Sequence, residues 1–194
     1  MEQRPLVYVN HITNLSDARY CAGMGVDLLG FNIDPSDPDY VSPETYQQLV
    51  GWVSGPERVV VAGSVPFNDK RMVEDYAPQY VHLHGAQLNN WPATSLKLIV
   101  EIPAESLADF RQQLEARTDI AFLVVPNLKE PITPALTGGI PVLAGLEPSA
   151  RISLAQLEKA GVAGIVLQGT KESSPGLKDY DHLSQVLEDL IGSR

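Results

Sequence analysis

The strongest constraint on what this chain can fold into is a series of short apolar runs, each followed by a polar or helix-forming stretch. The runs are Leu6–Asn10, Leu28–Ile33, Arg58–Val65, Tyr80–His84, Leu96–Ile102, Ile120–Val125, Pro141–Gly145 and Gly164–Gln168. Most are continuous Val, Ile and Leu rather than apolar residues alternating with polar ones. That pattern fits strands covered on both faces, as in a parallel sheet.

Helix signals lie between them. Asn14–Gly25 carries a Leu/Ala/Cys/Met stripe and ends in Gly. Ser42 before Pro43–Val53 supplies an N-cap, with proline at the first helical position. Asn68–Ala77, Ala104–Arg117, Pro148–Ala160 and Asp179–Ile191 complete the set. Two crossovers are degenerate. Gln87–Thr94 has room for one turn, and Asn127–Gly139 holds two prolines and two glycines, which favour loop.

Strands alternating with helices in this way predict an α/β fold, a closed (β/α)8 TIM barrel, as a single domain over residues 1–194. The chain is shorter than the typical barrel of about 250 residues, in keeping with reduced helices after strands four and six. A doubly wound open sheet is the alternative, weakened because no G-x-G-x-x-G follows the first strand.

The formal net charge is −10, from 24 acidic and 14 basic residues. This opposes general nucleic-acid binding, which uses basic patches, and adhesion to an anionic membrane. No apolar run approaches the length of about 20 residues that crosses a bilayer, and nothing resembles a signal peptide, so a cytoplasmic location is expected. The single cysteine, Cys21, excludes an internal disulfide and an all-cysteine metal site, and reads as a small buried hydrophobe.

In a barrel, functional side chains gather at the C-terminal ends of the strands. Asn10 ends the first strand there, with His11 next. His82 and His84 share one side of the fourth strand, and Glu101 ends the fifth. Gly145 and Gly169 follow strands seven and eight, where barrels often hold phosphate, and Thr170 and Lys171 extend the second of these turns. His11, His82 and His84 have the chemistry of metal ligands, but the simpler reading is hydrogen-bonded pocket histidines. No metal and no cofactor are expected.

Several stretches resemble the phosphoribosylanthranilate isomerase family of tryptophan biosynthesis. "HITNLSDARYCAGMGVDLLGF" is similar to its first loop, helix and second strand, and "YVSPETYQQLV" to its second helix entry. "VHLHG" resembles its fourth strand, "PVLAGL" its seventh, and "ESSPGLKD" its last signature. Order and spacing agree over nearly the whole chain. The resemblance implies the barrel and an Amadori-type isomerisation, in which an acid protonates the ribose ring oxygen and a base removes a proton from the next carbon.

The chain departs from the family at the chemistry. The resemblance places the family's general-base cysteine at Asn10 and its general-acid aspartate at Val125, or at best Pro126. Asp39 stands where an arginine normally faces the anthranilate carboxylate. The paired glycine after strand seven is reduced to Gly145, and the Ser-Gly after strand eight is Gln168-Gly169. An acid or base is typically worth about 10²–10⁴ in rate, so losing both predicts loss of the standard reaction. The expected candidate site is therefore Asn10, His11, His84, Glu101 and Val125 for chemistry, with Asp39, Gly145, Gly169, Thr170 and Lys171 toward a small phosphorylated ligand. Two alternatives stand beside an isomerase-like barrel without isomerase activity. One is a working isomerase with substituted acid and base residues. The other is a non-catalytic barrel acting through protein contacts. The expected assembly is a monomer or homodimer.

Overall fold

The computed structural model describes residues 4–68, 74–146, 154–169, 172–174, 177–178 and 184–188. Eight parallel strands close into a barrel in chain order: β1 (Leu6–Asn10), β2 (Leu28–Asn32), β3 (Glu57–Val61), β4 (Tyr80–His84), β5 (Lys97–Glu101), β6 (Ile120–Pro126), β7 (Val142–Gly145) and β8 (Gly164–Gln168). β8 pairs with β1 from Leu6↔Gly164 to Asn10↔Gln168, which completes the ring.

Helices α1 (Leu15–Gly23), α2 (Pro43–Val50), α3 (Leu107–Glu115), α4 (Pro134–Thr137) and α5 (Leu154–Ala160) lie in the crossovers. The caps follow from the sequence. The Asn14 side chain accepts from the Asp17 N–H, and Ser42 accepts from the Thr45 N–H ahead of Pro43. The crossover after β4 shrinks to a 3₁₀ turn over Gly85–Asn90, and α4 is a single turn. These are the two crossovers expected to be reduced.

Most strand residues face one of two apolar layers. Tyr8, Leu28, Val59, Tyr80, Ile99, Val124, Leu143 and Val166 fill the barrel interior. Val7, Val9, Leu29, Phe31, Val60, Val81, Leu83, Leu123 and Ile165 pack outward, beneath the helices. Burial of one such aliphatic side chain contributes about 1.5–3 kcal/mol, so the ring is held from both sides. Cys21 is fully buried in the outer layer, as expected of a small hydrophobe.

Several sequence expectations are corrected. Arg58–Val65 is too long for β3, because the chain turns at Gly63 with φ of +55°. Of Asn68–Ala77, the described residues 74–76 form one π-type turn. Ala104–Arg117 is broken at its start: a 3₁₀ turn over Ala104–Ser106 precedes α3. The Glu172–Ser174 segment of the last motif pairs antiparallel with Leu177–Lys178. Trp52 is 68% exposed, with the Arg19 guanidinium 5.8 Å from its ring centre.

Candidate functional site at the barrel mouth

The C-terminal ends of the strands surround a cavity of about 390 Å³. Asn10, His11, Asn32, His82, His84, Glu101, Pro126, Asn127, Gly145 and Gln168 all line it. Inward-facing strand residues alternate with outward-facing ones, so the last inward residue of each strand sets the chemistry of the mouth.

Asn10 is such a residue on β1, 8% exposed, and its Oδ1 accepts the His11 N–H at 2.8 Å. Gly30 makes room for it. A Cβ on Gly30 would come within 2.5 Å of Asn10 Oδ1 and 2.6 Å of the Tyr8 hydroxyl. Asn32 ends β2 and accepts the Asp34 N–H through its own Oδ1. Thus both asparagine oxygens are engaged by backbone donors, and no described hydrogen bond uses their NH2 groups.

His11 has φ of +58°, the left-handed region that non-glycine residues visit rarely. Its Nδ1 lies 3.0 Å from Asp39 Oδ2, in the loop after β2. Asp39, which the resemblance set against a carboxylate-binding arginine, is thereby a partner for His11.

A second group occupies β4 and β5. His84 Nδ1 is 3.5 Å from Glu101 Oε1, and His82 Nε2 is 3.6 Å from Glu101 Oε2. Below them the Tyr8 hydroxyl sits 3.1 Å from His82 Nδ1. Burial alone would raise the Glu101 carboxyl, but contact with the two histidines outweighs it and holds the group well below the usual carboxylate range. In return Glu101 raises the proton affinity of His84. Tyr8 is pushed well above an ordinary phenol, first by burial and then by the Glu101 charge. Its hydroxyl therefore stays protonated and is suited to donate to His82 Nδ1.

Val125 is corrected by the structure. Its side chain is fully buried in the outer layer, and the inward residue at the end of β6 is Pro126. Strand alternation decides this, because Val124 faces the barrel interior. Gly145 lines the mouth, and a Cβ there would come within 3.0 Å of Pro126 Cα. At Gly169 the N–H donates to the Asn10 carbonyl at 2.7 Å, and a Cβ would meet the His11 carbonyl at 2.9 Å. That glycine fits the close approach of β8 to the end of β1, and its N–H is already engaged within the protein. Thr170 and Lys171 lie outside the described residues.

Sequence reasoning missed Tyr8, Asn32, Asp34 and Asn127. Asp34 accepts from the backbone N–H and hydroxyl groups of both Ser36 and Ser64, which hold its carboxyl well below the usual range. It ties the loop after β2 to the loop after β3. The D-x-S spacing of Asp34 and Ser36 is a readable turn signal; the tie to Ser64 is not.

No family model matches the chain. Over 76 residues it is 32% identical to the N-(5'-phosphoribosyl)anthranilate isomerase of Aquifex aeolicus, a stretch that spans 38% of this chain and 37% of that relative. Solved structures match much further. A phosphoribosyl anthranilate isomerase in complex with reduced 1-(o-carboxyphenylamino)-1-deoxyribulose 5-phosphate has a TM-score of 0.70 at 20% identity, over 97% of this chain and 99% of that one. The barrel has the phosphoribosylanthranilate isomerase fold. The Thermus thermophilus phosphoribosyl anthranilate isomerase gives a TM-score of 0.70 at 21% identity, over 97% of this chain and 100% of that one. For the Pyrococcus furiosus N-(5'-phosphoribosyl)anthranilate isomerase the score is 0.70 at 13% identity, over 96% and 98%. Among the described residues, no helix is long and apolar enough to cross a membrane.

Proposed function

We propose that this chain is a divergent phosphoribosylanthranilate isomerase-like barrel that no longer runs the standard isomerisation, and that its mouth takes a small phosphorylated polyol. One observation carries the first half. The inward side chains ending β1 and β6 are Asn10 and Pro126. Neither an amide nor a pyrrolidine ring exchanges a proton near neutral pH, so the two positions that the family resemblance assigns to base and acid are inert.

The ligand class is supported by the cavity. Its size falls near the small end of ligand pockets, roughly 300–1,000 Å³, and amides and imidazoles suited to hydroxyl groups line it. One structural relative holds a deoxyribulose 5-phosphate derivative. No Lys or Arg lines the cavity among the described residues, so this reading gives the phosphate to Lys171. Calorimetric titration with ribose 5-phosphate tests it: binding weakened by Lys171→Ala is expected, and no binding at millimolar ligand rejects it.

The His11–Asp39 contact favours a second reading, a working isomerase in which His11 replaces the base. Growth of a tryptophan auxotroph that lacks the isomerase separates the two. Failure to restore growth, with purified protein inactive on phosphoribosylanthranilate, supports the first reading; growth that His11→Ala abolishes supports the second.

A further inference from the structure

We propose that the mouth shuttles a proton between adjacent carbons of a small sugar carrying a carbonyl next to a hydroxyl, with His11 as the base and His84 as the acid. This rests on the reading above that the mouth binds a small polyol, and it adds a reaction and a pair of catalytic residues.

The placement of two histidine–carboxylate pairs carries the proposal. In a closed ring of eight strands in chain order, β5 lies diametrically across from β1. His11 follows β1, while His84 and Glu101 are register partners at the ends of β4 and β5. His11, His84 and Glu101 all line the same cavity. His11, backed by Asp39, and the His84–Glu101 pair thus occupy facing walls of one small, polar space.

Their chemistry differs. At 3.0 Å from Asp39, His11 Nδ1 is suited to carry the ring proton and donate it to the carboxylate. That tautomer leaves the Nε2 lone pair as the proton acceptor. Opposite, His84 has Glu101 beside it, and the negative carboxylate stabilises the charged imidazolium. An imidazolium donates from Nε2, which makes it the partner for a carbonyl oxygen. Glu101 is held in turn by His82, and His82 by the Tyr8 hydroxyl, so the acid wall is anchored in the barrel interior. Glu101 and Asp39 are positioning residues in this scheme.

The step balances without any co-reactant. His11 Nε2 takes the proton from the hydroxyl-bearing carbon, and the C–H electrons form a carbon–carbon double bond. The carbonyl oxygen takes a proton from His84, giving an enediol. The neighbouring hydroxyl then gives its proton to His84 as its carbonyl forms, and His11 returns its proton to the former carbonyl carbon. The product is the isomeric hydroxy-carbonyl sugar. The NH2 groups of Asn10 and Asn32, whose oxygens are already engaged, supply donors for the sugar hydroxyls.

The wall near β2 also limits the substrate. Asp34, Asp37 and Asp39 all sit in the loop after β2, and Asp37 lines the cavity. Like charges repel, so a substrate carrying a carboxylate on that side is disfavoured. A sugar whose phosphate lies away from that side meets no such penalty.

The test incubates purified protein in D2O separately with glyceraldehyde 3-phosphate, ribose 5-phosphate and glucose 6-phosphate. Proton NMR follows deuterium uptake at the carbon beside the carbonyl, and calorimetry follows binding of the same compounds. The expected result is binding with catalysed exchange of at least one of them. Exchange should fall by ~10²-fold or more in His11→Gln and in His84→Gln, with binding retained. Asp39→Asn should lower exchange less and alter its pH profile. Binding without exchange, or exchange indifferent to both histidine substitutions, overturns the proton-transfer proposal and leaves the binding reading standing. No binding of any of the three overturns both.

Discussion

Glu101 and His84 end adjacent strands as register partners, and Glu101 Oε1 lies 3.5 Å from His84 Nδ1. Each alters the other's proton affinity, and the two effects act on stability in opposite directions with pH. Glu101 binds its proton less tightly in the folded chain than at its ordinary value of 4.5. Its contribution is therefore present above that pH and is lost as pH falls. His84 binds its proton more tightly than at its ordinary value of 6.5, so its contribution is complete below that pH and is lost as pH rises through the folded value. Urea unfolding of the wild-type and Glu101→Gln proteins should show the widest stability gap between about pH 4.5 and 6.5. A gap that does not vary with pH would mean that Glu101 acts through shape or neutral hydrogen bonding rather than charge.

His11→Gly separates a positioned functional histidine from a structural clasp. The left-handed conformation costs about 1–2 kcal/mol in an ordinary residue and nothing in glycine. The partly exposed hydrogen bond to Asp39 contributes about 0.5–1.5 kcal/mol. Glycine adds an entropic cost of roughly 0.5–1 kcal/mol. These terms nearly cancel, so stability should change by less than ~1 kcal/mol, measured by denaturant unfolding. Destabilisation beyond ~2 kcal/mol would show that the Asp39 contact chiefly holds the first loop in place.

Gly30 sits in the middle of β2, where a residue with higher strand propensity would ordinarily be favoured. It is there because Asn10 and Tyr8 fill the space that its side chain would take. Gly30→Ala should destabilise the barrel by about 1–3 kcal/mol through overpacking, visible as a lower thermal midpoint. An unchanged midpoint would show that Asn10 and Tyr8 can move aside freely.

The barrel was legible because β1, β4 and β8 are short apolar runs bounded by polar or turn residues at both ends, and their observed limits coincide with the apolar pattern. β3 was overread because Ala62 stays buried past the end of the strand and Val65 is buried again after the chain has turned at Gly63. Val125 was misplaced because an apolar run such as Ile120–Val125 carries no polar alternation to mark which face is inward. The register between β5 and β6 also shifts between Leu98 and Ile99, which defeats counting from a neighbour. The His11–Asp39 pair spans 28 residues and two elements, and no local pattern announces it. Tyr8 was hidden for a related reason. In a strand otherwise made of Leu, Val and Asn, a tyrosine looks like packing, and only the barrel interior brings its hydroxyl to His82.

That last contact sets the proton arrangement of the whole β4–β5 wall. Tyr8 is fully buried, and its ring meets the His82 ring edge-on at 5.7 Å between centroids. Burial keeps the phenol protonated at neutral pH, which suits it to donate to His82 Nδ1. In that tautomer the His82 proton sits on Nε2, the atom that faces Glu101. Tyr8→Phe keeps the ring but removes the donor. It leaves a buried nitrogen without its partner, which costs about 1–3 kcal/mol. It also frees the proton to move to Nδ1, turning a lone pair on Nε2 toward the Glu101 carboxylate and raising the proton affinity of Glu101. Nitrogen-15 NMR of the His82 ring should therefore report the Nε2–H form in the wild-type protein and a growing share of Nδ1–H in Tyr8→Phe. The Nδ1–H form in the wild-type protein would reverse the assignment, making Tyr8 the acceptor and removing its hold on Glu101 through His82.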